Sequence, residues 1–507
     1  MAFNVTTKGL THIALLFLSA SFIAVFFLST TFEYTVILRD DHVYLYVALM
    51  CTTGLFFLFL AYQLCFYPHY RRARTTPTQT STLSLRTIFI IGLVARILFV
   101  PSNAILEDDF YRYFFDGSVV THGENPYSTS PKQVLGNDNI DSVKSEDQVE
   151  PLSDIAKAPL IHRVAYPDIQ SIYPPVAQAF FALSTIISPY SVETWRLLLV
   201  FMEVLTFYLC LKLLRLYKRP NVLVILYWLN PLVITEGINA AHMDILLPPF
   251  LLGTLLSLHH RRFGLSALLL AGAVGIKLWP ILLVPVVVAR LLQTAKSTKE
   301  ISSLVTFIAI FGAVTGMLVL PQLLSVSYYS GLHQYSQYWQ VNSLLFTYLN
   351  ELLVYAYELT PIEWILAPEE LSRLIVATAV LVFAFSQAFM QYNSHVIPKH
   401  DSPNDVFHAD RELVNQWLAI AFLVFILSPT GYPWYTIWFI PLLSLGITRA
   451  NWAMLLLTIS LPLYDLRYPE ASSVYFDAIV VPFSFAPVLA LLVWQYLFRR
   501  SQIATNK

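Results

Sequence analysis

Long apolar runs alternate with short polar breaks along the whole chain. Runs near residues 9–30, 43–66, 87–105, 194–217, 222–236, 243–258, 264–276, 278–292, 301–323, 371–392, 413–428, 433–448, 452–464 and 475–497 predict about fourteen transmembrane helices. Several hold only about 13–16 residues, too few to cross ~30 Å of hydrocarbon at about 1.5 Å per residue. Such short pairs are tolerable where they line a water-filled cavity inside the protein. The first run follows Lys8, is long for a signal peptide and has no small-residue cleavage site after it, so it is expected to stay as a helix. The fold class is therefore an all-α polytopic membrane protein.

Charge between the runs orients them. With the N-terminus inside, the short inner loops collect eighteen Lys and Arg residues, among them Arg71, Arg72, Arg74, Lys218, Arg219 and Lys399. The short outer loops hold two, Arg39 and Arg467. This bias predicts both termini on the cytoplasmic side. Counting the apolar stretch 172–190 as a span would reverse it, so that stretch reads as a helix lying in the outer interface. Residues 106–171 then form one long polar outer loop, a length that signals function. The chain divides into an N-terminal hairpin with a basic loop (1–86), a membrane core (87–497) carrying the outer loop 106–190, and a short cytoplasmic tail (498–507).

Composition sharpens the picture. Of 507 residues, 56% are hydrophobic and 12% charged, against about 25% charged in a soluble domain. Mean hydropathy is +0.60. This excludes a cytosolic globule and a disordered chain and implies a lipid-bilayer environment. Net charge is −1, so no basic excess points to nucleic acid. Cys51, Cys65 and Cys210 all sit in apolar runs and read as small core residues. Aromatics at 15% suit interface belts and a sugar-stacking cavity.

The outer loop opens Glu107-Asp108-Asp109-Phe110-Tyr111-Arg112, continues to Asp116-Gly117, and reaches Gly123, Asn125, Pro126 and Tyr127. Asp109, Arg112 and Asp116 share one helical face. Phe110 and Phe114 take another, suited to lying on the membrane. Gly123 is a plausible helix stop. Carboxylates on a short helix at the membrane mouth suit a general base for a hydroxyl or a metal ligand for a phosphate. The plainer alternative is helix capping by Asp108 or Asp109 and a surface ion pair from Asp109 to Arg112.

The string DDFYRYFFDG…GENPY resembles the opening motif of bacterial GT-C glycosyltransferases, the membrane enzymes that use polyprenyl-phosphate sugars. The resemblance continues in order through Arg163, Tyr166-Pro167-Asp168, Tyr173-Pro174-Pro175, Trp195-Arg196, Asn230-Pro231 with Glu236 and His242-Met243-Asp244, Lys277 with Pro280, and Tyr432-Pro433-Trp434-Tyr435. It spans about 96–440, and no motif covers the first 70 residues. Phe115, Ser118, Ala165-Tyr166 and Tyr432 depart from the family pattern and bear on substrate identity.

The resemblance implies a GT-C fold with catalysis in the first large outer loop. Asp109, or Asp108, would deprotonate an acceptor hydroxyl that attacks a lipid-phosphate hexose, most readily mannose, with inversion. The leaving phosphate has a low pKa and needs cations more than an acid. Lys277 and Arg196 are candidates, and Arg96 is an alternative structural tie to a loop carboxylate. Arg112, Asp116, Asn125, Tyr127, Arg163, Tyr173, Glu236, His242, Asp244, Trp434 and Tyr435 complete the expected substrate site. The second reading of Glu236, His242 and Asp244 is a polar turn between helices. No cofactor is required; a divalent cation (Mg or Mn) would fall on Asp108 and Asp109. The partners are the polyprenyl-phosphate donor and a glycan, glycolipid or protein acceptor. The location is a bacterial plasma membrane with the site facing out. Residues 131–162 read as a mobile acidic insertion. Alternatives are another lipid-phosphate sugar or a polytopic transporter.

Overall fold

The computed structural model describes residues 7–33, 39–66, 83–136, 155, 158, 161–295, 297–360, 364–394, 403–446 and 449–505. Arg71, Arg72, Arg74, Lys399 and most of the acidic insertion lie outside them. The described residues form helices and no strand, with one isolated bridge between Val341 and Thr430. The helices used below are α1 (Thr7–Ser29), α2 (Asp40–Ala61), α3 (Leu85–Phe99), α4 (Asp109–Thr121), α5 (Pro175–Ile187), α6 (Val192–Leu216), α7 (Leu247–His259), α8 (Phe263–Val274), α9 (Val284–Thr294), α10 (Thr298–Leu324), α11 (Gly331–Tyr338), α12 (Leu344–Glu358), α13 (Pro368–Asn393), α14 (Pro403–Leu427) and α15 (Val481–Thr505).

Among the described residues, six helices are long and apolar enough to cross a membrane, and seven if Asn221–Trp228 and Pro231–Asn239, bent by 55°, count as one span. The chain is a multi-pass integral membrane protein. These helices do not confirm the expected count of fourteen spans. The runs at 243–258, 264–276 and 278–292 fold as helices of 13, 12 and 11 residues. The chain between the short helices runs in 3₁₀ turns, and Pro280, Pro433 and Pro462 stand at the first positions of three of them, where a missing N–H costs no helical bond.

The segment 106–190 folds as predicted in part. Helix α4 begins at Asp109, and Gly123 (φ +82°) turns the chain just after it. The 172–190 stretch forms α5, which packs across α4. Gly117 makes that crossing possible: a Cβ there would stand 2.5 Å from the Phe181 carbonyl. Phe110 and Phe114 do not lie on the membrane; they are 5% and 3% exposed and pack within the protein. Burial of the aromatic face against protein anchors α4 more firmly than lipid contact would.

Arg96 pairs with Glu203 of α6, not with a loop carboxylate. Its guanidinium also donates to the carbonyls of Gly92 (3.0 Å) and Trp228 (2.8 Å) and lies 3.8 Å over the Trp228 ring. Gly92 permits the approach, because a Cβ there would collide with the Trp228 indole at 2.2 Å.

Candidate active site

The carboxylates of residues 107–109 are delivered by a strained entry into α4. Leu106 takes φ 60°, a left-handed conformation disfavoured for a leucine and common at functional sites. Asp108 occupies the N-cap position but makes no side-chain capping bond. The capping alternative therefore fails for Asp108, and the expected Asp109–Arg112 pair is replaced by Arg112–Asp116 at 2.8 Å. Both aspartates line a cavity of about 340 Å³ together with Glu107.

The opposite wall comes from two distant segments. Lys277 and Asp244 form an ion pair at 3.0 Å. Trp438 donates to Asp244 at 2.5 Å, and the Lys277 ammonium stands 4.3 Å from the Tyr435 ring. The Tyr335 and Tyr435 hydroxyls meet at 2.7 Å, and Tyr335 also reaches Thr430 at 2.6 Å. Tyr432 stacks on Trp434 (4.3 Å), which stacks on His242 (3.7 Å). Aromatic faces with interspersed polar groups are what a hexose ring and its hydroxyls require. Tyr335 and Trp339 line the cavity, while Tyr328, Tyr329 and Tyr338 in the same segment are exposed.

Electrostatics set the carboxylates apart. Asp109 is pushed up to about 7, first by desolvation and then by Asp108, with Lys277 and Arg467 pulling the other way. Its side chain is 37% accessible, so it stands at a cavity wall rather than in the core. Desolvation and Asp109 push the Glu107 carboxyl well above its ordinary range. Desolvation also raises Asp108, against Arg467. A carboxylate displaced to near neutrality beside a cation in a cavity is a candidate general base.

Arg467 and Glu107 were not among the site residues expected from sequence. Arg467 lines the cavity, lies 4.1 Å over the Tyr464 ring and donates to the Tyr468 hydroxyl at 2.6 Å. The available signal was its rarity: it is one of two basic residues in the short outer loops.

Of the expected site residues, Asp108, Asp109, Arg112, Tyr173, Asp244, Lys277, Trp434 and Tyr435 converge on this cavity. The others stand elsewhere. Asp116 is fully buried and accepts from Arg112, Ser171 and Gln178, tying α4 to α5. Asn125 accepts from the Tyr127 amide at 3.0 Å in an exposed turn, and the Tyr127 hydroxyl donates to the Tyr173 carbonyl at 2.9 Å. Arg196 is buried with its guanidinium on the carbonyls of Val100, Ser102 and Asn239. Glu236 is buried, 7% exposed. Arg163 donates to the Tyr111 hydroxyl at 2.9 Å and lines a second cavity of about 720 Å³, whose wall shares Glu107, Asp108 and Tyr468 with the first.

Asp108 and Asp109 were the residues expected to hold a divalent cation. Among the described residues no three His, Cys, Asp or Glu side chains converge to hold a metal ion. The positive charge at the carboxylates comes from Lys277 and Arg467.

Residues 6–293 match the MptA_B family, described as alpha-(1->6)-mannopyranosyltransferase, N-terminal domain. The match includes residues 6–70, where no motif had been legible. No curated protein and no solved structure matches the chain. The matched segment contains Asp108, Asp109, His242, Asp244 and Lys277, whereas Trp434, Tyr435 and Arg467 lie beyond it. The match selects an enzyme over a transporter: with more than half of its 507 residues covered, the chain belongs to the alpha-(1->6)-mannopyranosyltransferase family and is a membrane glycosyltransferase.

Proposed function

We propose that the protein transfers mannose from a polyprenyl-phosphate donor to a sugar hydroxyl at the outer face of a bacterial plasma membrane, with inversion. The observation that carries this reading is one cavity with a near-neutral carboxylate, Asp109, facing two cations, Lys277 and Arg467. The donor phosphate sits between the cations, which stabilise the charge growing on the leaving oxygen. Asp109 takes the acceptor proton as the hydroxyl oxygen bonds to the anomeric carbon. The bond to the phosphate oxygen breaks, and its electron pair leaves on the phosphate. One carboxylate suffices, because the phosphate leaves as a stable anion. The family's alpha-(1->6) linkage makes the attacking group a primary 6-hydroxyl. Inversion to an α product then requires a β-linked donor. The acceptor approaches through the second cavity, which is lined by Tyr190, Asn103 and Arg163 and meets the first at Glu107 and Asp108.

The test uses washed membranes, labelled β-mannosyl polyprenyl phosphate and a mannoside acceptor. The expected result is release of lipid phosphate with a new α-(1→6) bond. Label that crosses the membrane uncleaved, or a retained β linkage, would sink the mechanism. Orientation is checked in intact cells by cysteine labelling: Glu124→Cys is expected to react from outside, and Ser402→Cys only after permeabilisation.

A further inference from the structure

One buried side chain next to the cavity has no hydrogen-bond partner. His242 is fully buried, and both ring nitrogens lack a partner. Its Nδ1 points at Asp109 and its Nε2 at Glu107, each at 3.8 Å. The ring is clamped against Trp434 at 3.7 Å. Ala241 just before it takes φ 63°, so the backbone is held off its easy conformation to aim the ring. Trp434, Glu107 and Asp109 line the cavity, whereas His242 does not. It stands behind the wall.

A buried polar ring with two empty nitrogens is costly unless it makes bonds at another stage of the cycle. Catalytic hydrogen bonds are often long before substrate arrives and tighten afterwards. We propose that His242 is a positioning residue for the base, its Nδ1–H donating to the Asp109 carboxylate and its Nε2 accepting a proton-bearing oxygen of Glu107. The charges around it agree. Burial and the neighbouring Lys277 hold the imidazole well below its usual range, so the ring is neutral. Glu107 is raised and supplies the proton that Nε2 accepts. The other groups facing Asp109 are Asp108, Asp244, Lys277 and Arg467. Of these, only the two cations favour its ionised form, and both are claimed by the donor phosphate in the mechanism above. The bond from His242 keeps Asp109 ionised and its free oxygen turned toward the acceptor hydroxyl.

This inference rests on Asp109 as the base, so Asp109→Asn is measured alongside. The full-length enzyme is assayed in membranes for kcat, donor KM and the acid limb of the pH profile. His242→Phe keeps the stack on Trp434 and removes both nitrogens. It is expected to lower kcat by about 10- to 150-fold, the worth of one hydrogen bond to a charged group, with donor KM within about twofold. The acid limb should move up by about one pH unit, because the ionised carboxylate loses its donor. His242→Asn places an amide near Nδ1 and is expected to restore most of kcat and the limb. His242→Gln reaches toward Nε2 and is expected to restore neither. If His242→Phe does not fold, the Asn and Gln pair carries the same decision. A His242→Phe enzyme with normal kcat and an unmoved limb overturns the inference, as does equal loss in Asn and Gln. An active Asp109→Asn enzyme overturns the base and this inference together. An inactive Asp109→Asn beside a normal His242→Phe overturns this inference alone.

Discussion

Two of the charge clusters inside this apolar protein are built in opposite ways. Around Arg96, opposite charges meet directly: the guanidinium pairs with Glu203, which also accepts from the Tyr227 hydroxyl at 2.6 Å. Both ionic side chains are fully buried, and the cluster opens to no described cavity. At residues 107–109, like charges adjoin one another, the nearest cations stand across a cavity, and a histidine has no partner. The first arrangement is complete in itself. The second becomes complete only when a phosphate meets the cations and a hydroxyl meets the base. Carboxylates left without a paired cation at a cavity wall mark work to be done, and carboxylates paired in the core mark architecture.

The largest effect that separates the two clusters is expected at Asp109. Asparagine is nearly isosteric but takes no proton, so Asp109→Asn should lower turnover about 10²–10⁴-fold while leaving donor binding intact. Asp108→Asn is the control, since the next position points roughly 100° around the helix. If Asp108→Asn is inactive and Asp109→Asn active, the base is Asp108. The pH profile adds a sign. Because Asp109 is raised to about 7, the base form is lost as pH falls through that value. Then kcat/KM should drop with unit slope below it. A flat profile down to about pH 5 would place the base on an ordinary carboxylate.

Breaking the balanced cluster should act on stability instead. Arg96→Met strands Glu203 as an unpaired buried charge, which costs about 3–5 kcal/mol. The Arg96→Met/Glu203→Leu double variant should recover most of that loss. Thermal unfolding in detergent reads both, and a double variant no better than the single one would show that the pair is not the source. Where the protein remains folded, donor KM should not move.

Lys277 tests the unbalanced side at smaller scale. Lys277→Met keeps volume but leaves Asp244 without its ion-pair partner, so stability should fall too, with Trp438 still donating to Asp244, and donor affinity is read on the folded fraction. Losing a charge-assisted bond to phosphate should weaken donor affinity by about 1–3 kcal/mol. Arg467→Met should do the same through the other cation. Unchanged donor affinity in both variants would move the phosphate out of this cavity.

The difference between the clusters was only half legible in sequence. The α4 helix and its carboxylates were readable because periodicity, a stop at Gly123 and the Asp116-Gly117 pair lie close together in the chain. Lys277 was readable because a cation in an apolar stretch is conspicuous. Glu203 was not matched to Arg96: the two are 107 positions apart, and periodicity carries no information about partners on other helices. Arg467 was counted only as a loop charge, since nothing local shows that its loop folds back over Glu107. The count of fourteen spans is left unconfirmed for a related reason. Hydropathy measures how apolar a run is and does not show where it breaks into short helices and 3₁₀ turns, as at Trp279–Leu283 and Pro433–Trp438.

The smallest effect concerns the motif residues that fall outside both clusters. Asn125 belongs to the string that resembles the glycosyltransferase opening, yet it stands in an exposed turn and its side chain accepts from the Tyr127 amide. That is an Asx turn, and its role is to set where the chain leaves α4. Tyr127 then fixes Tyr173 through its hydroxyl, and Tyr173 lines the cavity. Asn125→Ala should therefore cost about 1 kcal/mol of stability or less, with kcat and donor KM within about twofold, a shift of under roughly 0.5 kcal/mol. Thermal unfolding and steady-state kinetics on the same membranes separate the two quantities. A tenfold rise in donor KM with unchanged unfolding would bring Asn125 into contact with substrate. The motif would then mark the sugar site along its whole length, not only at Asp108, Asp109, Arg112 and Tyr113.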